Sequence, residues 1–175
     1  SMAELQGLGL GGFQVSAICD VSQEAVDVTA GRLEELLGHR PAVYTDYQKM
    51  LEVEKLDAAD LCLPHGLHHV IGNACMEAGL HVLCEKPLGI TVATSLSMAE
   101  TADRTGKILS TAAPKRREPG QRAVHWMFNE SKLIGTPLAF FHHMTWPWTP
   151  RNPSAPVRES TRWRMDRLRS GGGMV

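Results

Sequence analysis

Apolar residues along the chain come in short runs separated by stretches of helical spacing. Residues 13–19, FQVSAIC, form one such run and end at Asp20. Ser22 then stands where a helix N-cap belongs. Val26, Val28, Leu33, Leu36 and Leu37 recur on helical spacing up to Gly38, the predicted stop. Residues 41–44 predict a short strand, followed by a helix through Met50 and Leu51 that Thr45 or Asp46 caps. Residues 56–63, LDAADLCL, predict the next strand, and residues 67–78 a helix that stops at Gly79. Residues 80–84 give a strand that ends at Glu85-Lys86-Pro87. Thr91 caps a helix through Ala99 and Ala102 to Gly106, and residues 107–112 predict another strand. A helix over residues 119–133 ends at Gly135, and residues 138–145, LAFFHHMT, have strand character.

Short apolar strands alternating with amphipathic helices predict an α/β fold built from βαβ units. Its sheet is expected to be parallel and covered on both faces. The strand over residues 138–145 falls after the alternation has ended and is expected to open a second domain. Residues 146–162, rich in Pro, Arg and Ser, read as a loop. There is no internal repeat.

Composition narrows the function. A chain of 175 residues with 43% apolar side chains can build a packed core. A net charge of −1 argues against a nucleic-acid partner, which calls for a basic excess. No apolar run is long enough to span a membrane, and no signal-peptide pattern is present. Cys19, Cys62, Cys75 and Cys84 lack C-x-x-C spacing. Three of them lie in apolar runs and read as buried reduced thiols, which favours a cytoplasmic setting.

Gly7, Gly9 and Gly12 match G-x-G-x-x-G, the pattern of a dinucleotide-binding loop. A phosphate-holding loop follows a strand and opens a helix. Here residues 3–6 resemble a helix end, and a strand follows Gly12. The glycines therefore read better as a turn. Asp20 stands at a strand end before a capped helix, where a carboxylate accepts the ribose hydroxyls of a dinucleotide. The alternative reading is a strand-end Asp that caps that helix. An acid at this position favours NAD over NADP, whose 2′-phosphate it would repel.

Two stretches carry a resemblance. Residues 57–68, DAADLCLPHGLH, and residues 78–88, AGLHVLCEKPL, resemble the Gfo/Idh/MocA family of NAD(P)-dependent oxidoreductases. The family's strand ends in T-P-x-x-x-H and is followed by A-G-K-H-V-x-x-E-K-P at matching spacing. Trp163-Arg164 and Gly171-Gly172-Gly173 are similar to its W-R and G-G-G elements. The resemblance implies that Leu63, Pro64, His65 and His68 lie beside the cofactor, with Glu85 and Lys86 where cofactor and substrate meet. It implies that Trp163 and Arg164 pack near the nicotinamide and phosphates, and that the Lys86-Pro87 bond is cis. Lys86 becomes the expected catalytic residue, because an ammonium beside a secondary alcohol stabilises the developing alkoxide. The expected cofactor is NAD, with NADP less favoured, and the expected substrate a sugar or polyol.

Other candidates stay open. His65, His68 and His69 suggest a metal only weakly, with no third ligand evident, so no metal site is expected. Lys115 and Arg116, after a strand, fit a substrate-binding pair or a solvated charge run. Trp126 reads as core, and Trp146 and Trp148 as pocket or loop aromatics.

The pattern departs from the family at both ends. The expected fold is a Rossmann-like parallel sheet lacking its first, central strand and glycine loop, followed by the start of an α+β domain. Residues 1–115 would be a partial dinucleotide-binding domain and residues 116–175 the beginning of a substrate or oligomerisation domain. In strand order 3-2-1-4-5-6, losing the central strand separates residues 13–19 from residues 60–63 and leaves two open edges. Expected partners are a small substrate and a homo-oligomer or complementing chain. Three functions follow: a sugar or polyol dehydrogenase, a glycosidase that uses bound NAD, or a non-catalytic binding domain.

Overall fold

The computed structural model describes residues 12–133, 135, 136, 138, 139, 141, 143, 162–164 and 166–171. Among them the elements run β1 (Ala17–Cys19), α1 (Gln23–Leu37), β2 (Ala42–Tyr44), α2 (Tyr47–Val53), β3 (Ala58–Leu61), α3 (His68–Glu77), β4 (His81–Glu85), α4 (Val92–Thr105), β5 (Leu109–Ala112), α5 (Pro119–Asn129) and α6 (Arg167–Ser170). Single 3-10 turns at His65–Leu67 and Pro114–Arg117 precede α3 and α5.

Side-chain caps set the helix starts. The Ser22 hydroxyl accepts from the Ala25 amide at the head of α1. Asp46, rather than Thr45, caps α2 by accepting from the Gln48 amide at 2.9 Å. Thr91 and Thr94 form a reciprocal capping box on α4. Gly38 and Gly106 end α1 and α4 as expected.

All strand pairing is parallel. β1 pairs with β2, Ala17 opposite Ala42. β4 lies between β3 and β5, with Ala58 opposite His81 and Val82 opposite Leu109. Among the described residues no ladder joins the two sheets, so β1 and β3 are both edges. This is the separation that the strand order predicts.

The main core joins β3, β4 and β5 to α3 and α4. It comprises Leu61, Cys75, Met76, Leu80, Val82, Cys84, Met98 and Ala102, with Leu51 and Leu56 packed against it. In β4, Val82 and Cys84 face this core while Leu83 is exposed. Asp60, Leu83 and Glu85 share the other face by register. Coverage of both sheet faces is therefore not realised among the described residues, and that face carries carboxylates.

Several expectations change. The strands are shorter than the apolar runs, because pairing stops where the chains diverge into turns. On α1 only Val26 and Ala30 are buried, and Val28 and Leu36 are exposed, because the helix packs on a two-stranded sheet with a narrow footprint. Helix α5 stops at Asn129, four residues before the predicted end at 133. Its Trp126 is half exposed rather than core, since α5 packs chiefly on the Pro114–Arg117 turn. Residues 138, 139, 141 and 143 are not in a strand. All four cysteines are free, but only Cys75 and Cys84 are buried, while Cys62 is exposed. Residues 3–11, with Gly7 and Gly9, lie outside the described residues, as do Trp146 and Trp148. No described helix is long and apolar enough to cross a membrane.

Candidate functional site

The carboxyl ends of parallel strands gather the chemistry-bearing residues. Within each sheet parallel pairing points the strands' carboxyl ends to one edge, where open α/β sheets bind ligands. Asp20 directly follows β1. Its amide donates to the Tyr44 carbonyl at 3.2 Å, and its exposed carboxylate accepts from the Ser22 amide through Oδ1 at 2.8 Å. Ser22 and not Asp20 caps α1; one Asp20 oxygen steadies the turn into that helix, and no hydrogen bond is made by Oδ2 among the described residues.

The turn after β3 holds Leu63, Pro64, His65 and His68. The Pro64 carbonyl accepts from the Leu67 amide at 2.8 Å and closes the turn. His68 is fully buried, its Nδ1 2.7 Å from the Pro87 carbonyl and its Nε2 3.0 Å from the Leu63 carbonyl. His65 is half-buried, and its Nδ1 lies 3.0 Å from the Ser170 carbonyl. Trp163 meets the His65 ring edge-on with centroids 4.8 Å apart, and the Arg164 guanidinium sits 5.3 Å from the centre of the indole.

Glu85 ends β4, and its Oε2 accepts from the Lys86 amide at 3.0 Å. The Lys86-Pro87 bond is cis, as the resemblance implies. The Lys86 side chain is exposed and its ammonium has no hydrogen bond or ion pair among the described residues. Lys115 differs: its Nζ lies 2.7 Å from Glu118 Oε1, so its charge is answered locally. Arg116 is exposed beside it in the turn after β5.

The structure thus brings His65, His68, Trp163 and Arg164 into one cluster, linked through Pro87 to Lys86. Asp20 belongs to the other sheet. Sequence reasoning missed the anchors of the later segment. Ser170 is buried and supplies the carbonyl that His65 reaches. Gly171 has φ +83°, and a Cβ there would lie 3.0 Å from Ile90. A glycine tract after a buried polar residue is the signal that marks such a close backbone approach.

Electrostatics beside the cluster are acidic. Burial, then the charge of Glu85, raises the Asp60 carboxyl above its ordinary value. Burial raises the Cys62 thiol, with Asp60 and Glu85 adding to it. Burial pushes Cys75 and Cys84 up to about 11. No group of three or more His, Cys, Asp or Glu capable of holding a metal occurs among the described residues.

Comparison with known proteins gives a family match. The family model described as an oxidoreductase family with an NAD-binding Rossmann fold matches residues 4–113. D-glucoside 3-dehydrogenase of Escherichia coli (strain K12) is 35% identical over 100 residues, 56% of this chain and 26% of that protein. The alpha-N-acetylgalactosaminidase of Shewanella oneidensis is 32% identical over 102 residues, 56% of this chain and 22% of that protein. The chain spans about a quarter of the length of these curated relatives. The WlbA dehydrogenase of Bordetella pertussis, solved with NADH and UDP-GlcNAcA, superposes with a TM-score of 0.63 at 26% identity. That match covers 76% of this chain and 38% of the other.

Proposed function

The chain belongs to the Gfo/Idh/MocA oxidoreductase family, and on that footing we propose that it forms the NAD-binding part of a dehydrogenase acting on a sugar or polyol. The observation that carries this reading is Lys86, an exposed ammonium at the carboxyl end of β4 with no partner among the described residues.

The donor set fits a dinucleotide in part. Asp20 offers a carboxylate oxygen to ribose hydroxyls and disfavours a 2′-phosphate, which argues for NAD before NADP. In this reading Leu63, Pro64 and His65 would lie beside the cofactor, and Trp163 with Arg164 would supply an aromatic face and a cation. No phosphate-binding loop is among the described residues. NAD, when bound, would supply the acceptor for the hydride of the alcohol carbon. Lys86 would hold the substrate oxygen and stabilise its developing negative charge as the hydroxyl proton leaves to solvent. Glu85 orients the Lys86 backbone through the amide that it accepts from. Lys115 and Arg116 would meet the substrate's far end, Lys115 only by exchanging Glu118 for it. In this reading residues 1–115 would serve the cofactor and residues 116–175 the substrate pocket or an oligomer contact. The free thiols fit a cytoplasmic setting.

Calorimetric titration tests the reading. NADH is expected to bind and NADPH to bind more weakly. Absence of NADH binding, together with no hydride transfer across a panel of sugars and polyols, would overturn it. The glycosidase named among the relatives favours a second reading, a glycosidase that uses bound NAD. Free sugar released from an aryl glycoside without accumulation of NADH would select that one.

A further inference from the structure

His68 sits between the two turns that carry the candidate site, and each ring nitrogen faces a main-chain carbonyl. Nδ1 is 2.7 Å from the Pro87 oxygen and Nε2 is 3.0 Å from the Leu63 oxygen. A carbonyl oxygen only accepts, so each contact is a hydrogen bond only when that nitrogen donates. A ring with a single proton would aim a lone pair at one oxygen in the fully buried site, whereas a second proton matches both contacts and sets its charge between two carbonyl dipoles that offset the cost of burying it. We propose that His68 is a positioning residue that donates from both ring nitrogens, bracing the backbone after β3 against the backbone after β4.

The strands do not make this connection themselves. Their ladder ends at Leu61 opposite Cys84. Beyond it the two chains turn apart, one toward Pro64 and His65, the other toward Lys86 and Pro87. The ring spans that divergence. His65 takes neither carbonyl: its ring lies 5.7 Å away, centroid to centroid, and its Nδ1 reaches Ser170. His68 therefore has no nitrogen left for a cofactor. Its effect on NAD, which rests on the proposed function, passes through the Leu63 and Pro87 backbones.

Ring-nitrogen NMR of the chain labelled with 15N-histidine is the direct test. One ring, assigned by its absence in His68→Gln, is expected to show two protonated nitrogens with couplings to the Leu63 and Pro87 carbonyls. A bare nitrogen on that ring would overturn the brace. Amide exchange separates bracing from general support. In His68→Gln, the Leu67 and Thr91 amides are expected to exchange about tenfold faster, the loss expected for one buried hydrogen bond. Val82 and Cys84 should keep their protection. Equal acceleration at all four would mean that the residue only supports the core. NADH titration of the same variant is expected to weaken about tenfold, and unchanged affinity would remove the link to the cofactor. If the unsubstituted chain binds no NADH, the proposed function fails, while the ring spectrum and amide exchange still decide the brace.

Discussion

Lys86 and Lys115 are the same side chain given different work by their surroundings. Glu118 neutralises Lys115 at 2.7 Å on an exposed surface, so Lys115→Ala is expected to shift stability by less than about 1 kcal/mol in urea melts. Lys86→Ala should leave NADH affinity unchanged and lower kcat of any hydride transfer by about 10²–10³, the scale for losing one preorganised charge-stabilising donor. Equal loss of affinity and rate would place Lys86 in cofactor binding instead. Cys75 and Cys84 give a pH dependence. Their folded thiols titrate near 11, against 9.0 for the ordinary thiol. The folded state thus holds more protons between those values, and their contribution to stability is full below pH 9.0 and lost as pH rises through about 11. Urea midpoints should fall over that window, and a Cys75→Ala/Cys84→Ala chain should show a shallower fall. At this scale the positions of Asp20 and Lys86, each directly after a strand, were legible because apolar runs and motif spacing mark them. The bracing by His68 was not, because its partners are main-chain carbonyls, which side-chain types do not encode.

Helix boundaries were the most legible feature among the elements. Ser22, Thr91, Gly38 and Gly106 announce α1 and α4 through local chemistry alone. Burial was less legible, because periodicity marks a stripe and the partner sheet decides how much of it is covered, as the exposed Val28 and Leu36 show. The start of α4 is tightly fitted. A Cβ on Gly89 would lie 2.5 Å from Thr94 Oγ1 and 2.8 Å from the Ser95 amide nitrogen, and that backbone atom cannot yield. Gly89→Ala is expected to cost about 1–3 kcal/mol in denaturant melts, and Thr91→Ala about 1 kcal/mol through the lost cap. Reversal of that order would show that the loop before α4 adapts freely.

Among the described residues the molecule is organised around two sheets of unequal support, with no ladder between them. The three-stranded sheet shares a core with α3 and α4, whereas α1 buries only Val26 and Ala30 beside the β1–β2 pair. Amide exchange should therefore be slowest in β4, which is paired on both sides, and clearly faster in β1, β2 and α1. Uniform protection across both sheets would mean that they open as one unit. The separation was legible from strand order. The docking of residues 163, 164 and 166–171 on the turn after β3 was not, because sequence spacing says nothing of contacts reaching across about a hundred residues, such as His65 to Ser170.

That docking also carries its own optical reporter. The indole of Trp163 lies edge-on to the His65 imidazole at 4.8 Å, so its emission depends on that contact. In a chain where Trp126, Trp146 and Trp148 are replaced by Phe, emission would come from Trp163 alone and would change as its contact with His65 is lost. Seating could then be followed in real time without an added dye.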